Sequence, residues 1–568
     1  MTNNNSGKIF LLSAVIIIIA AWFIILFYRG FNDPDEGRYS EIPREMVASG
    51  NWMEMRMLGF RYYEKPPMAY WLVAPAIKIF GAYDWAVRVP LFFSGLIGLA
   101  VLWVLAIKKM GRMHGSAAIM VMASSIGYFA GNGLLLTDSF LLTFFTATCA
   151  FLFLAFDDQP SPGRHMYLMF AAVSAALGFL TKGAVAVVLP AMIVFIWLLW
   201  ERRLRTLFRP STAVAGLLLA LLLAPVIWAI ERYNPGFVRH FIFEEHIARF
   251  VGTRSAQLHP EPFWFFLMVL PLLLLPWSLF LLRAGRTIWK QRVLGSDSFS
   301  RFLFVWAAVV ICFFSASTGK LMSYILPAIP PLGLLLGRWG VSEPVEEGGE
   351  IWDRRLWRIG VAGLFIMAAV IPLLWITAYF RLMPDKVYPI SGVSVAALIP
   401  VLVVALFALR QKPAINFNGL MFLNSGVLIS CALLLSPLAG KDFNVLLHIN
   451  SSYVYKSLAR ELKPDDTIVV FWSYRPALPF YTRKMYVPFQ EDNELSEGMK
   501  MEPERHASLD NAGELDVLLR QARGRVFALV EPQDLKSKFL ALNINFKETS
   551  LPRDPDTIVY EMMCPPGR

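Results

Sequence analysis

Asp33-Pro34-Asp35-Glu36-Gly37-Arg38-Tyr39 breaks the apolar flow of the N-terminus directly after the run Ile16-Ile17-Ile18-Ile19 to Ile24-Ile25-Leu26. Charged side chains beside so greasy a segment are costly unless they are paired or face a cavity. A second charged knot, Tyr63-Glu64-Lys65-Pro66-Pro67, lies in the same loop, where proline holds the backbone stiff. The greasy segment itself sets the class, because it is long enough to cross a bilayer and is followed by many like it.

The 568 residues are 56% hydrophobic and 17% charged, with a mean hydropathy of +0.52. A soluble domain is nearer a quarter charged. About thirteen apolar segments have the roughly 20-residue length of a membrane span. They centre near residues 18, 96, 123, 147, 173, 192, 220, 272, 308, 330, 368, 402 and 427. The net charge of +11 gathers in alternate loops: Lys108, Lys109 and Arg112; Arg202, Arg203, Arg205 and Arg209; Arg283, Arg286, Lys290 and Arg292; Arg354, Arg355 and Arg358. That distribution speaks against nucleic acid. It puts these loops and the N-terminus in the cytoplasm by the positive-inside rule, with the intervening loops outside. Cys149, Cys312 and Cys431 fall in spans and Cys564 has no partner, so no disulfide framework is expected.

Residues 1–439 form the expected membrane part, with an external loop at 29–85 carrying helices beside the membrane. Residues 440–568 are more charged. There the strand-like runs at 467–472 and 525–530 alternate with helix-like stretches near 450–462 and 513–522, which predicts a small soluble α/β domain. The expected fold is thus membrane all-α with a small C-terminal α/β domain. In the loop, Asp33 and Glu36 have the spacing of a capping box around Pro34, which predicts a helix running through Met46.

Three external segments hold the candidate chemistry. Asp35, Glu64 and Asp138 are the candidate catalytic acids; capping a helix is the plain alternative for Asp35 and Asp138. Arg38, Lys65, Lys182, Arg249 and Lys320, with Tyr324, are candidates for phosphate oxygens; snorkelling at span ends is the alternative for each cation. Glu64, Asp138, Glu244 and His246 could take a divalent ion, although zinc-type ligand spacing is absent. There is no Walker loop, no GxGxxG and no nucleophile elbow.

Taken in order, several stretches resemble the ArnT family within the GT-C class of membrane glycosyltransferases. They are Asp33 to Ile42 with Arg44-Glu45-Met46 and Ser49-Gly50-Asn51-Trp52, Gly59, Tyr63 to Pro67 with Tyr70-Trp71, Thr137-Asp138, Glu244-Glu245-His246 with Arg249-Phe250, and Lys320 with Tyr324-Ile325-Leu326-Pro327. The resemblance covers most of the membrane part and is weak in the last hundred-odd residues. It implies a GT-C membrane fold in the inner membrane of a Gram-negative bacterium, with the active site and C-terminal domain periplasmic. It further implies a monomer that moves 4-amino-4-deoxy-L-arabinose from undecaprenyl phosphate to a lipid A phosphate, lowering surface negative charge and the binding of polymyxin. No cofactor is required in that picture, with a divalent metal ion as an added candidate. On the residues themselves, Asp35 and Asp138 are expected to share one pocket at the outer leaflet. Two other readings remain open: a related enzyme moving another polyprenyl-linked sugar to a protein hydroxyl or a glycan, and a transporter or flippase. Charges at one external face, and no visible internal repeat, disfavour transport.

Overall fold

The structure is a computed structural model. It describes residues 15–24, 30–157, 163–248, 260–341, 351–360, 452–490, 508–531, 538–542, 544–551 and 557–563, together with isolated neighbouring positions. The spans expected near 368, 402 and 427 lie outside the described residues. The chain divides into two compact units. One comprises Met1–Leu26, Leu91–Trp228 and Val238–Leu435; the other comprises Phe27–Pro90, Ala229–Phe237 and Ser436–Arg568. This division differs from the linear boundary at 439, because the external loop and the C-terminal residues fall in the same unit.

The first unit is helical. Among the described residues, five helices are long and apolar enough to cross a membrane, or six if the bent pair Phe265–Leu273 and Trp277–Lys290 (104°) counts as one span. The segments near 96 and 123 are two helices within Val89–Ala123 that meet at a kink at Gly111 (φ 77°), where a side chain would be strained. Val185–Trp200, near 192, is short for a span, and near 330 the helix is only Ile329–Leu336. Thr137–Phe156 is the central helix, almost wholly buried, and packs against Arg164–Lys182. Gly178 permits the close approach of the next helix, Val185–Trp200, since a Cβ there would meet Ala186 Cβ at 2.8 Å. Small residues bring membrane helices together in this way. Around Phe153 the rings of Trp197, Phe299 and Phe302 lie at 5.1, 5.0 and 4.8 Å, in the range of favourable aromatic pairs.

In the second unit the helix expected in the loop is Asp35–Ser49, ended by left-handed Gly50 (φ 72°). A two-residue hairpin follows, β1 (Arg56–Met57) with β2 (Phe60–Arg61), then the helix Met68–Phe80. The C-terminal residues make a five-stranded sheet from β3 (Thr467–Phe471), β4 (Val487–Phe489), β5 (Val526–Val530), β6 (Phe546–Glu548) and β7 (Ile558–Met562), in the order β4-β3-β5-β7-β6. β3 runs parallel to β4 and β5, while β7 is antiparallel to β5 and β6. The runs expected at 467–472 and 525–530 are its two central parallel strands. The helices Ser452–Glu461 and Ala512–Gln521 agree with the expected stretches.

The capping box does not form as expected. Asp33 does not cap its own helix. Its carboxylate instead accepts the N–H of Ala477 (3.1 Å) and the hydroxyl of Tyr455 (3.2 Å). The helix Ala477–Thr482 thereby lies across Asp35–Ser49, and Gly37 has no side chain because the Ala477 backbone occupies that space.

Candidate active site

Each unit brings some of the candidate acids and cations together. In the helical unit the centre forms because Thr137–Phe156 and Arg164–Lys182 run antiparallel, so the start of one meets the end of the other. Asp138 makes a short ion pair with Lys182, and its second oxygen accepts the Ser323 hydroxyl at 3.2 Å. The Lys182 ammonium stands 4.2 Å from the centroid of the Tyr324 ring, a cation–π distance. Asp138 makes no cap bond to its own helix, whose N-terminus has no side-chain cap. Lys182 turns inward to a carboxylate and a ring instead of snorkelling outward. Lys320 is buried and donates to the carbonyls of Glu261 (2.7 Å) and Ser317 (2.5 Å), tying loop 260–262 to loop 317–320. Burial lowers its pKa, against a raising effect from Glu261.

In the second unit Asp35 is the open acid. Its side chain is 46% exposed, and its Oδ1 accepts from the Arg38 guanidinium at 2.5 Å. Arg38 is buried, 3.8 Å from Glu64 and 5.0 Å from the centroid of the Tyr39 ring. Glu64 accepts the Tyr62 hydroxyl at 3.0 Å and lies 3.7 Å from the Lys65 ammonium. Burial pushes the Tyr62 phenol up, against the lowering effect of Arg38, so it stays protonated as a donor. Glu36, the neighbour of Asp35, belongs to the frame. It holds the fully buried Arg88 by two bonds of 3.1 and 3.0 Å, and Arg88 also donates to Gly30 O at 2.7 Å.

The structure therefore brings Asp138, Lys182 and Tyr324 together, and separately brings Asp35, Arg38, Glu64 and Lys65 together. Asp35 and Asp138 belong to different units. Glu244 is exposed on the helix Phe241–Ala248; the side chain of His246 and all of Arg249 lie outside the described residues. Among the described residues no group of three or more acidic, His or Cys side chains is placed to hold a metal ion. Sequence reasoning missed Ser323, Tyr62 and Asp33. Ser323 gives no signal of its own, but Tyr62 sits two residues before Glu64, and Asp33 opens the charged run.

The family model for dolichyl-phosphate-mannose-protein mannosyltransferases matches residues 64–228. An undecaprenyl phosphate-alpha-4-amino-4-deoxy-L-arabinose arabinosyl transferase of Sodalis glossinidius is 35% identical over 343 residues, 60% of this chain and 60% of that protein. One of Aeromonas salmonicida is 33% identical over 359 residues, 61% of this chain and 64% of the relative. The chain thus spans about three fifths of the length of the curated relatives it matches. The crystal structure of ArnT from Cupriavidus metallidurans bound to undecaprenyl phosphate aligns over 98% of both chains, with a TM-score of 0.79 at 22% identity. The resemblance read from the sequence is borne out by these relatives and by the shared fold.

Proposed function

We propose that this ArnT-like chain is a glycosyltransferase that moves 4-amino-4-deoxy-L-arabinose from undecaprenyl phosphate to a phosphate of lipid A. It works as a monomer in the inner membrane of a Gram-negative bacterium, with about thirteen spans, the N-terminus in the cytoplasm, and the reacting centre and C-terminal domain at the periplasmic face. The observation that carries the reading is the state of the cations. Lys182, Arg38 and Lys65 are each held beside a carboxylate, the first two also against a tyrosine ring, and largely out of water, where a lipid phosphate would meet them.

In the reaction the bond from the sugar's anomeric carbon to the donor phosphate oxygen breaks, and a bond from that carbon to a lipid A phosphate oxygen forms. Undecaprenyl phosphate leaves as a monoester. Two anionic lipids must come together, and their repulsion grows in a low-dielectric cleft. The leaving phosphate gains charge, so cations aimed at its oxygens stabilise the transition state more than the ground state. The acceptor phosphate is already ionised and needs little base catalysis. Asp35, open and hydrogen-bonded to Arg38, suits positioning the acceptor or the sugar amine; Glu64 orients Arg38 and Lys65. The proposed chemistry routes no step through a divalent ion, which the sequence leaves as a candidate. Loss of transfer in EDTA, restored by added metal, would overturn that part.

The test is a lipid A mass spectrum from cells with and without the protein, expected to differ by one aminopentose. Asp35→Asn should remove the difference at unchanged protein level; full modification by that variant would refute its role. The mannosyltransferase match over residues 64–228 favours a second reading, transfer of another polyprenyl-linked sugar to a protein hydroxyl. Unmodified lipid A beside a newly glycosylated protein would select it.

A further inference from the structure

Reaching from Phe156, at the end of its helix away from Asp138, to Val187 in the first turn after Lys182, an apolar cavity of about 400 Å³ lies in the helical unit. Its walls come from four helices and include Thr148, Ala172, Ala175, Val194, Ala215 and Gly216. The reason for the void is visible in the sequence: small residues stand where larger ones would close the helices together. Phe195 and Gly216 belong to the wall and are also exposed, so the cavity opens sideways from the bundle. Pro210–Tyr233, which forms its outer side, is almost wholly unburied along its apolar window. Protein interiors rarely leave a void of this size unfilled, and at a membrane-facing surface the available filler is a hydrocarbon chain.

The mouth says which kind of chain. Phe156, Leu207 and Thr212 line one end of the cavity. Phe156 closes the helix that begins at Thr137, roughly 30 Å along its axis from the Asp138 centre. Around this end the segment 202–209 carries four arginines. Arg202, Arg205 and Arg209 are exposed, and Arg203 donates to the Phe156 carbonyl at 3.0 Å. Trp200 and Phe208 are exposed beside them, as aromatic side chains are at a membrane interface. The Thr212 hydroxyl is shielded and has no hydrogen-bond partner among the described residues. A basic mouth over an apolar slot between spanning helices matches an anionic headgroup with its chain, and basic pockets on the cytoplasmic side are known to take such headgroups.

We propose that this cavity is a binding site for an anionic phospholipid of the cytoplasmic leaflet. One acyl chain lies between the helices, and the headgroup phosphate sits over Arg205 and Arg209. The site is independent of the proposed transferase reaction and stands or falls without it.

The experiment is native mass spectrometry of the full-length purified protein after detergent exchange with phosphatidylglycerol or phosphatidylcholine. Two variants frame it. Gly216→Phe fills the slot; a Cβ at Gly216 meets nothing within 4 Å, so the new ring starts without a clash. Arg205→Gln with Arg209→Gln removes two exposed charges and leaves the packing alone. The wild type should retain one phosphatidylglycerol and release phosphatidylcholine. Gly216→Phe should lose the retained lipid, and the arginine pair should bind it about 30-fold more weakly, at about 1 kcal/mol for each cation. Equal retention of both lipids, retention unchanged in either variant, or a polyprenyl phosphate found in the slot in place of a phospholipid would overturn the assignment. Should Gly216→Phe fail to fold, the arginine pair and the comparison of the two lipids still decide it.

Discussion

Glu36 sits beside the proposed catalytic Asp35, yet its surroundings give it another task, and a double-mutant cycle tests which one holds. Its side chain is 1% exposed and that of Arg88 is 0%. Besides the two bonds to Arg88, its Oε2 accepts the Asn32 N–H at 2.8 Å. At an effective dielectric of about 20, unit charges about 3 Å apart attract by roughly 5 kcal/mol before desolvation. Removing one partner strands the other as a buried charge, which typically costs about 3–5 kcal/mol. Glu36→Gln and Arg88→Met should each lower stability by that amount. The double variant should lose much less than the two together, giving a coupling of roughly 2–3 kcal/mol. Unfolding of a membrane protein is seldom reversible on heating, so unfolding titrated with SDS in mixed micelles and followed by tryptophan fluorescence is the suitable assay. Additive single effects would refute the pairing. A Glu36→Gln protein of wild-type stability that no longer transfers sugar would show that Glu36 belongs to the reacting centre and not to its frame.

Gly37→Ala should destabilise by about 1–3 kcal/mol, because the new Cβ would lie 2.8 Å from the Ala477 Cα and closer still to its nitrogen; unchanged SDS unfolding would refute the contact. Burial raises the Asp33 pKa to about 7, against the lowering effects of Arg475, the Ala477 N–H and Tyr455. An acid raised on folding contributes stability fully below its unfolded value of 3.8 and loses it as pH climbs through 7, on the order of 4 kcal/mol in all. Asp33→Asn should therefore flatten the fall in stability between about pH 4 and 7, with Glu45, raised by burial and Glu41 to about 7, supplying what remains; an unaltered pH profile would refute this. Asp138→Asn removes the counter-charge of Lys182, so it should retain undecaprenyl phosphate more tightly, with a lower KM and a lower kcat; weaker retention would show that Asp138 contacts the lipid directly.

What the sequence made legible follows from the distances involved. The central strands at 467–471 and 526–530 were readable because β-branched and aromatic residues run together there, and the pattern is local. The helix after Asp33 was legible from an equally local signal, the proline and acids at its start, although the capping box itself does not form. The partner of Asp33 was not, because Ala477 is 444 residues away and nothing in Arg475-Pro476-Ala477 advertises a place on an external loop. That contact, with others of the same reach such as Lys456 to Asp84 and Arg56 to Glu502, is why the linear boundary at 439 divides residues that fold together. The charged run pointed to a site but not to the task of each acid. Asp33, Asp35 and Glu36 lie within four positions, and the fold sends them to a distant helix, an open centre and a buried arginine. Ser323 could not have been found at all, since a serine in a loop is recognisable only once Asp138 stands beside it.

The pairing of Lys182 with Asp138, and of Arg38 and Lys65 with Asp35 and Glu64, argues about mechanism as well as stability. A bare ammonium among apolar helices would carry an uncompensated desolvation cost of several kcal/mol, so a chain that keeps Lys182 ready for an anion must give it a counter-charge while the site is empty. Asp138 does this, Ser323 holds its second oxygen, and Tyr324 keeps the ammonium in place from the other side. Phosphate binding is then an exchange of one anion for another. Affinity is lower than at a lone lysine, but the product gains most from that trade. Undecaprenyl phosphate leaves with more negative charge than the donor brought, and an unopposed lysine would hold it hardest of all. A carboxylate that competes for the same ammonium speeds its departure. In the proposed reaction Asp138 is therefore better understood as the group that keeps turnover going than as a base, and the acid left free to meet the acceptor is the half-exposed Asp35.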